Sequence, residues 1–348
     1  MSDSPENRIL VVAPAWIGDM VMAQSLYKML RRKSPDSEID VLAPASTLSL
    51  VARMPEVTLG IGFKPGHGEL NLSYRKGLGE KLKERRYRRA FVLPNSFKSA
   101  LVPFFADIPV RTGFRGEFRY LVINDMRMPG KSRLPRMVDQ FVSLGVPAGA
   151  DQPEIEYPQL TADETNLAQC LETLSLDLSR PVLGICPGAE FGEAKKWPEQ
   201  HFATLTSQAI VRGMQVWIFG GPNDVDTGRR ISELAGPTGR DSIRNLAGKT
   251  SITDVIDLIS HCNLVVSNDS GLMHIAAATG RSLIALFGST SPAFTPPLST
   301  KARVVSENLS CSPCFKRICP LGHKNCLNGL LPDRLIPLLD AQLNGASE

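Results

Sequence analysis

The sequence has no apolar run long enough to cross a membrane. Its first such stretch, ILVVAPAWIG from Ile9, stops at Asp19, short of the roughly 18 residues that a span needs. No basic n-region precedes it, because the chain starts MSDSPENR, so no secretory signal peptide is expected and the default location is the cytoplasm. Several ligand signatures are missing too. Without G-x-G-x-x-G the sequence argues against an NAD or FAD site, and without G-x-x-x-x-G-K-[ST] it loses the simplest NTPase reading. It has no G-x-S-x-G nucleophile elbow for a hydrolase. No RNA-binding or helix-turn-helix signature is present, so nucleic acid is not expected as a partner.

What is present suits a globular chain. The 348 residues are 43% hydrophobic and 21% charged, and that length predicts about two domains. The net charge of +4 is uneven. Residues 1–150 hold 23 Lys and Arg against 14 Asp and Glu, a net +9, and the remainder holds 16 against 21, a net −5. The densest basic run is KLKERRYRR, from Lys81 to Arg89, followed by Lys98, Arg111, Arg115 and Arg119 among apolar and aromatic residues. Such a run is either a solvated helix face or an attractor for a polyanion such as an anionic membrane surface or a phosphorylated lipid.

Apolar strand-like runs alternate with helical patterns: RILVVA, EIDVLA and RAFVLP, then RPVLGICPG, MQVWIFGG, CNLVVSNDS and RSLIALFG. Short, continuously apolar strands between helices predict an α/β protein with parallel sheets covered on both faces. A Pro-, Gly- and acid-rich interval, VPAGADQPEIEYPQLTADE, separates the two series. The expected architecture is two doubly wound, Rossmann-like domains facing an interdomain cleft, with ligands at the strand C-terminal ends. The boundaries read as 1–155 for the first domain, 156–180 for a linker, 181–330 for the second domain and 331–348 for a C-terminal helix that Pro337 interrupts or kinks.

Four strand ends carry candidate chemistry. In LVVAPAWIGDMVMAQ an acid, Asp19, follows the glycine at a helix start, where it would repel a phosphate; read alone it is a helix cap or a catalytic carboxylate. In NLVVSNDSGLMHIAAATG the small Ser270 and Gly271 let a diphosphate approach helix N–H groups, and Asp269 either caps the helix or touches the ligand. His274, one turn in, either donates to a phosphate or packs as a core histidine. In CPGAEFGEAKKWPEQHF, Lys195 stands at a strand end ahead of a helix introduced by Trp-Pro. In VWIFGGPNDVDTGRR, Asn223 and Asp224 either hold a ribose or form an ordinary capped turn.

Taken together, PAWIGDMVMAQSLYKML, VLPNSFKSALVPFFADIPVRTGFRGEFRY, CPGAEFGEAKKWP, VSNDSGLMHIAAA and ALFGSTSPAFTPPLS resemble the ADP-heptose:lipopolysaccharide heptosyltransferases of glycosyltransferase family 9, and among them the heptosyltransferase II group. The resemblance runs from Ile9 to about Val305. It implies the GT-B architecture, with an acceptor-binding N-terminal domain and a C-terminal domain for ADP-L-glycero-D-manno-heptose. It implies inverting transfer of the heptose onto the first heptose of the lipopolysaccharide inner core, heptosyl-Kdo2-lipid A, at the cytoplasmic face of the inner membrane. Asp19 matches the family's general base. Lys195 matches a lysine on the donor phosphate or sugar, and Asp269, Ser270 and Gly271 match the turn that holds heptose hydroxyls and diphosphate. Asn223 or Asp224 falls near the acidic position at the adenosine ribose, and His274 joins the donor set. Lys98, Arg111, Arg115 and Arg119 are placed to hold acceptor phosphates and Kdo carboxylates. The family needs no cofactor for catalysis, cations and helix N–H groups standing in for a metal.

One segment departs from that account. CSPCFKRICPLGHKNC holds Cys311, Cys314, Cys319 and Cys326 with His323 among them, a density that fits free thiols, a structural Zn site, or disulfide and redox behaviour. Two other functions remain open at this point: heptosyltransferase I, acting on Kdo directly, and a non-catalytic nucleotide-sugar-binding protein of the same fold, which would have no need of Asp19.

Overall fold

The computed structural model describes residues 7–64, 68–128, 130, 133–236 and 239–345. The polar start, residues 1–6, and the last three residues of the expected C-terminal helix lie outside the described residues. By its contacts the chain divides into two compact units, Met1–Gln159 and Leu160–Glu348.

The first unit is a six-stranded sheet of β1 (Arg8–Val12), β2 (Glu38–Pro44), β3 (Leu59–Phe63), β4 (Arg89–Val92), β5 (Val110–Phe114) and β6 (Asp125–Arg127), in the order 3-2-1-4-5-6. The second is built of β7 (Val182–Cys186), β8 (Gln215–Ile218), β9 (Ile243–Asn245), β10 (Leu264–Asn268), β11 (Ser282–Leu286) and β12 (Ala302–Val305), in the order 12-11-10-7-8-9. Every pairing in both sheets is parallel. Counted from the first strand of each unit, the two windings are identical. β7 and β10 are buried along their whole length, as expected of strands with helices on both faces. The α/β, doubly wound expectation therefore holds. Each sheet has one point where the winding reverses, between β1 and β4 and between β7 and β10, and that is where α/β sheets bind ligands.

The stretch 156–180 contains helix Glu164–Thr173, whose N-cap Asp163 accepts the Thr165 and Asn166 N–H groups. Helix Ile336–Gly345 packs into the second unit, with Leu335 and Leu339 in its core; Pro337 is its second residue, where no N–H is needed. The exit from the first unit is fixed by buried polar groups of helix Ile17–Lys33: Gln24 Nε2 donates to the Gln159 carbonyl at 2.7 Å and Ser25 Oγ to that of Glu156 at 2.6 Å. Among the described residues no helix is long and apolar enough to cross a membrane.

The basic run Lys81–Arg89 leads into β4, so it lies at the edge of the sheet opposite the strand C-terminal ends. Much of it is engaged there in structure. Arg85 pairs with the buried Asp40 at 2.5 Å, Tyr87 donates to the same carboxylate at 2.5 Å, and Lys83 meets Asp107 at 2.7 Å. Arg8 completes the network on Glu38 at 2.7 Å, a hydrogen bond that holds the Glu38 carboxyl below its ordinary range.

Candidate active site

The second unit assembles its side chains at the turn of winding. The loop after β7 brings Lys195 and the turn after β10 brings Asp269, and their ammonium and carboxylate meet at 2.7 Å. Asp269 is buried and its Oδ2 also accepts the Thr290 hydroxyl, from the loop after β11. An ammonium carries three donors, so this pairing leaves Lys195 with N–H groups for a ligand. Asp269 is not the helix cap: Ser270 is the N-cap of helix Gly271–Ala278, and no side-chain cap bond forms there. The first-turn N–H groups, which have no partner within the helix, lie beside the ion pair in the chain.

The two loops are stapled beneath this pair. Asn268 Nδ2 donates to the Pro187 carbonyl at 2.7 Å while its Oδ1 accepts the Trp197 N–H at 3.1 Å. Trp197 is itself buried, and its indole donates to the Leu330 carbonyl at 2.7 Å. Sequence reasoning missed two residues here. Thr290 lies in the quoted GSTSP motif but nothing in the motif points it at Asp269. Arg317 lies in the cysteine-rich segment, and its guanidinium stands 5.5 Å from the centre of the Phe191 ring, which also takes Lys195 Nζ at 5.0 Å. Its carbonyl accepts the Ala194 N–H at 3.0 Å, so the cysteine-rich segment is anchored to the lysine loop.

His274 is buried, and desolvation, opposed by Asp269 and aided by Lys195, lowers its pKa from 6.5 to about 4, so the ring is neutral at pH 7 and packs as a core histidine. Asp224 accepts the Gly221 N–H at 2.9 Å, closing its own turn. A β-carbon at Gly188 would stand 2.4 Å from the same Asp224 oxygen, so the carboxylate fills space between the β7 and β8 loops. Asn223 stays exposed beside it.

The four cysteines are free thiols, Cys311 exposed, Cys314 and Cys319 half-buried and Cys326 buried. Among the described residues no three His, Cys, Asp or Glu side chains are arranged to hold a metal ion. His323 Nδ1 accepts the Asn325 N–H at 2.9 Å. The Cys319 sulfur takes N–H groups from Lys324 and then Leu321, Gly322 and His323, which hold its pKa below the ordinary thiol range.

In the first unit, Asp19 is half-buried in the first turn of helix Ile17–Lys33, after β1. The N-cap is Trp16, whose side chain makes no cap bond and is 51% exposed. Asn95 and Lys98 follow β4, on the other side of the turn of winding. Two of the four acceptor-side cations are corrected. Arg119 is 1% exposed. Its guanidinium donates to the carbonyls of Phe114, Pro94 and Ser96 and to Asn95 Oδ1; burial, opposed by Glu117, lowers its pKa to about 10. Arg111 donates to the Val122 and Ile108 carbonyls at 2.7 and 2.5 Å and lies 5.5 Å from the Phe104 ring. Both cations hold the frame. Lys98 is half-buried and Arg115 exposed, and these two remain for an anion.

The His274 ring makes a pH prediction. Between pH 6.5 and about 4 the unfolded chain binds a proton that the folded ring refuses, so stability is complete above that window and falls as the pH drops through it. The full loss is about 3 kcal/mol at roughly 1.4 kcal/mol per unit. His274→Asn should flatten urea-denaturation stability between pH 7 and pH 4.5 relative to the parent; parallel curves would contradict the burial argument.

Comparison with known proteins identifies the family. Residues 75–325 match the model of glycosyltransferase family 9 (heptosyltransferase). The chain is 45% identical over 342 residues to lipopolysaccharide heptosyltransferase 2 of Escherichia coli K12, covering 97% of this chain and 98% of that protein. Lipooligosaccharide heptosyltransferase 2 of Haemophilus influenzae is 45% identical over 306 residues, 85% of this chain and 88% of that one. The solved structure of the E. coli ADP-heptose heptosyltransferase II superposes with a TM-score of 0.88 at 43% identity, over 98% of this chain and all of that one. On the family model and these full-length similarities together, the chain belongs to glycosyltransferase family 9, the heptosyltransferases.

Proposed function

We propose that this enzyme transfers L-glycero-D-manno-heptose from ADP-heptose, with inversion, onto the first heptose of the lipopolysaccharide inner core. The observation that carries this reading is the 45% identity to lipopolysaccharide heptosyltransferase 2 over 97% of the chain, together with the Lys195–Asp269 ion pair at the winding reversal of the second unit. The heptosyltransferase I alternative is not favoured, since the relatives at 42–45% identity bear the heptosyltransferase 2 name. A binder without activity is also set aside, because the family is one of glycosyltransferases.

The mechanism follows from where charge must go. An acceptor hydroxyl oxygen attacks the anomeric carbon on the face opposite the diphosphate. Its proton passes to a carboxylate oxygen of Asp19, and the electrons of the breaking C–O bond go to the diphosphate. Lys195 and the N–H groups at the start of helix Gly271–Ala278 answer the charge that grows there. Arg317, held on the Phe191 ring, adds a second cation. Asp269, buried and bonded to Thr290, orients Lys195 and offers its remaining oxygen to heptose hydroxyls. In this reading side-chain cations do the work that a metal performs elsewhere, and Lys98 and Arg115 meet the acceptor's anionic groups. The acceptor is a lipid, so the enzyme acts at the cytoplasmic face of the inner membrane without spanning it.

Incubation with ADP-heptose and either heptosyl-Kdo2-lipid A or Kdo2-lipid A tests the assignment. ADP release with the first acceptor and not the second is expected. Release with the second alone would reassign the chain to heptosyltransferase I, and release with neither would remove the proposed donor–acceptor pair.

A further inference from the structure

We propose that the β5–β6 crossover of the first unit is a membrane-docking segment, which sets Phe118, Tyr120 and Leu121 into the interface of a bilayer bearing anionic headgroups. The inference rests on the lipid-linked acceptor proposed above and names the surface that reaches the lipid.

Exposed apolar side chains scattered singly are ordinary. Here three stand within four residues: Phe118 is 77% exposed, Tyr120 53% and Leu121 81%. The residue between them, Arg119, is 1% exposed and caged by the carbonyls of Phe114, Pro94 and Ser96. A backbone pinned at its centre holds its neighbours outward by construction. Gly116 lets it lie against the loop after β4, since a β-carbon there would stand 2.1 Å from the Asn95 carbonyl oxygen. The Glu117 N–H donates to that carbonyl at 3.1 Å, and its carboxylate accepts the Phe97 N–H at 2.8 Å. The second loop, with the 36% exposed Phe97 and with Lys98, is thereby fastened to the first.

The chemistry of this surface matches an interface better than a dry protein contact. Phe118 and Tyr120 meet edge to face at 5.2 Å, an aromatic pair with one phenolic hydroxyl for the headgroup layer, while Leu121 and Phe118 suit the acyl boundary. Arg115 and Lys98 flank them, and long cationic side chains reach headgroup phosphates from an apolar footing. The acid within the segment, Glu117, is engaged as described. The surrounding half of the chain is net +9. A second exposed apolar pair, Ile318 and Leu321, at 76% and 60%, lies in the half that is net −5, and it supplies the control.

The experiment compares the parent protein with the triple variant Phe118→Ser, Tyr120→Ser, Leu121→Ser and the control variant Ile318→Ser, Leu321→Ser. Each is measured for cosedimentation with phosphatidylcholine vesicles with and without phosphatidylglycerol, and for transfer to the acyl-free heptosyl-Kdo2 oligosaccharide. The parent and control should bind the anionic vesicles, and the triple variant should bind them on the order of a hundredfold more weakly with the oligosaccharide KM and kcat unchanged. The inference is overturned if the parent does not bind vesicles, if the triple variant binds as the parent does, or if the control loses binding equally. It is also overturned if the triple variant raises only the oligosaccharide KM, since the segment would then hold acceptor sugar. Vesicle binding that differs as expected, with no heptose transfer by any form, would leave the docking surface standing and remove the proposed reaction.

Discussion

Replacing Asp19 by Asn is expected to lower kcat for heptosyl transfer by about a hundredfold to ten-thousandfold, the range that a positioned general base supplies, while ADP affinity stays unchanged. The amide keeps the shape of the side chain and its place in the first turn of helix Ile17–Lys33, but it has no basic oxygen to receive the acceptor proton. Donor recognition is assigned to the second unit, so the donor KM should move little. A loss that appears wholly in donor KM, with kcat intact, would place Asp19 in binding and not in proton transfer. A loss of thermal stability matching the loss of activity would mark it as a structural residue of its helix.

The second large effect is expected from Lys195→Gln. Removing a preorganised donor aimed at developing charge costs about a hundredfold to a thousandfold in kcat, and here ADP affinity should fall as well. The same change leaves Asp269 buried with Thr290 alone, and breaking a buried ion pair from one side costs about 3 kcal/mol or more. The pair is 14% and 5% exposed at its two side chains, so solvent relieves little of this. Catalysis and stability separate in the double variant Lys195→Gln, Asp269→Asn. There the uncompensated charge is gone, and most of the lost Tm should return while kcat stays low. Recovery of activity together with Tm would show that Lys195 acts only by neutralising Asp269.

The central strands were legible in the sequence and the outer ones were not. RILVVA, EIDVLA and RAFVLP became β1, β2 and β4, and the four later runs became β7, β8, β10 and β11, all of them interior to their sheets. Of the strands without a continuous apolar signature, β3, β6, β9 and β12 are the sheet edges, and β5 lies next to the edge strand β6. Their burial is partial, as in β6 and β12, so solvent on one side permits residues such as Asp125, Arg127 and Arg303. Lys195 and Asp269 were found because each sits where an apolar run ends, but that they touch depends on β7 lying beside β10, a long-range fact. Arg119 misled for a related reason: a loop arginine reads as surface charge, and only the carbonyls at the end of β5 and in the loop after β4 reveal it as a core group. Arg317 and Thr290 come from separate parts of the chain, and no local pattern predicts that either faces the lysine loop.

The Asn268 staple has a thermodynamic consequence for donor binding. Because the Asn268 amide at the end of β10 ties both ends of the loop after β7 across the winding reversal, the loops at the proposed donor position lose their conformational freedom when the protein folds and not when ADP-heptose arrives. Donor association then carries little ordering entropy of its own. The main rearrangement left for it is local and electrostatic, a shift of the Lys195 ammonium from a carboxylate toward a diphosphate.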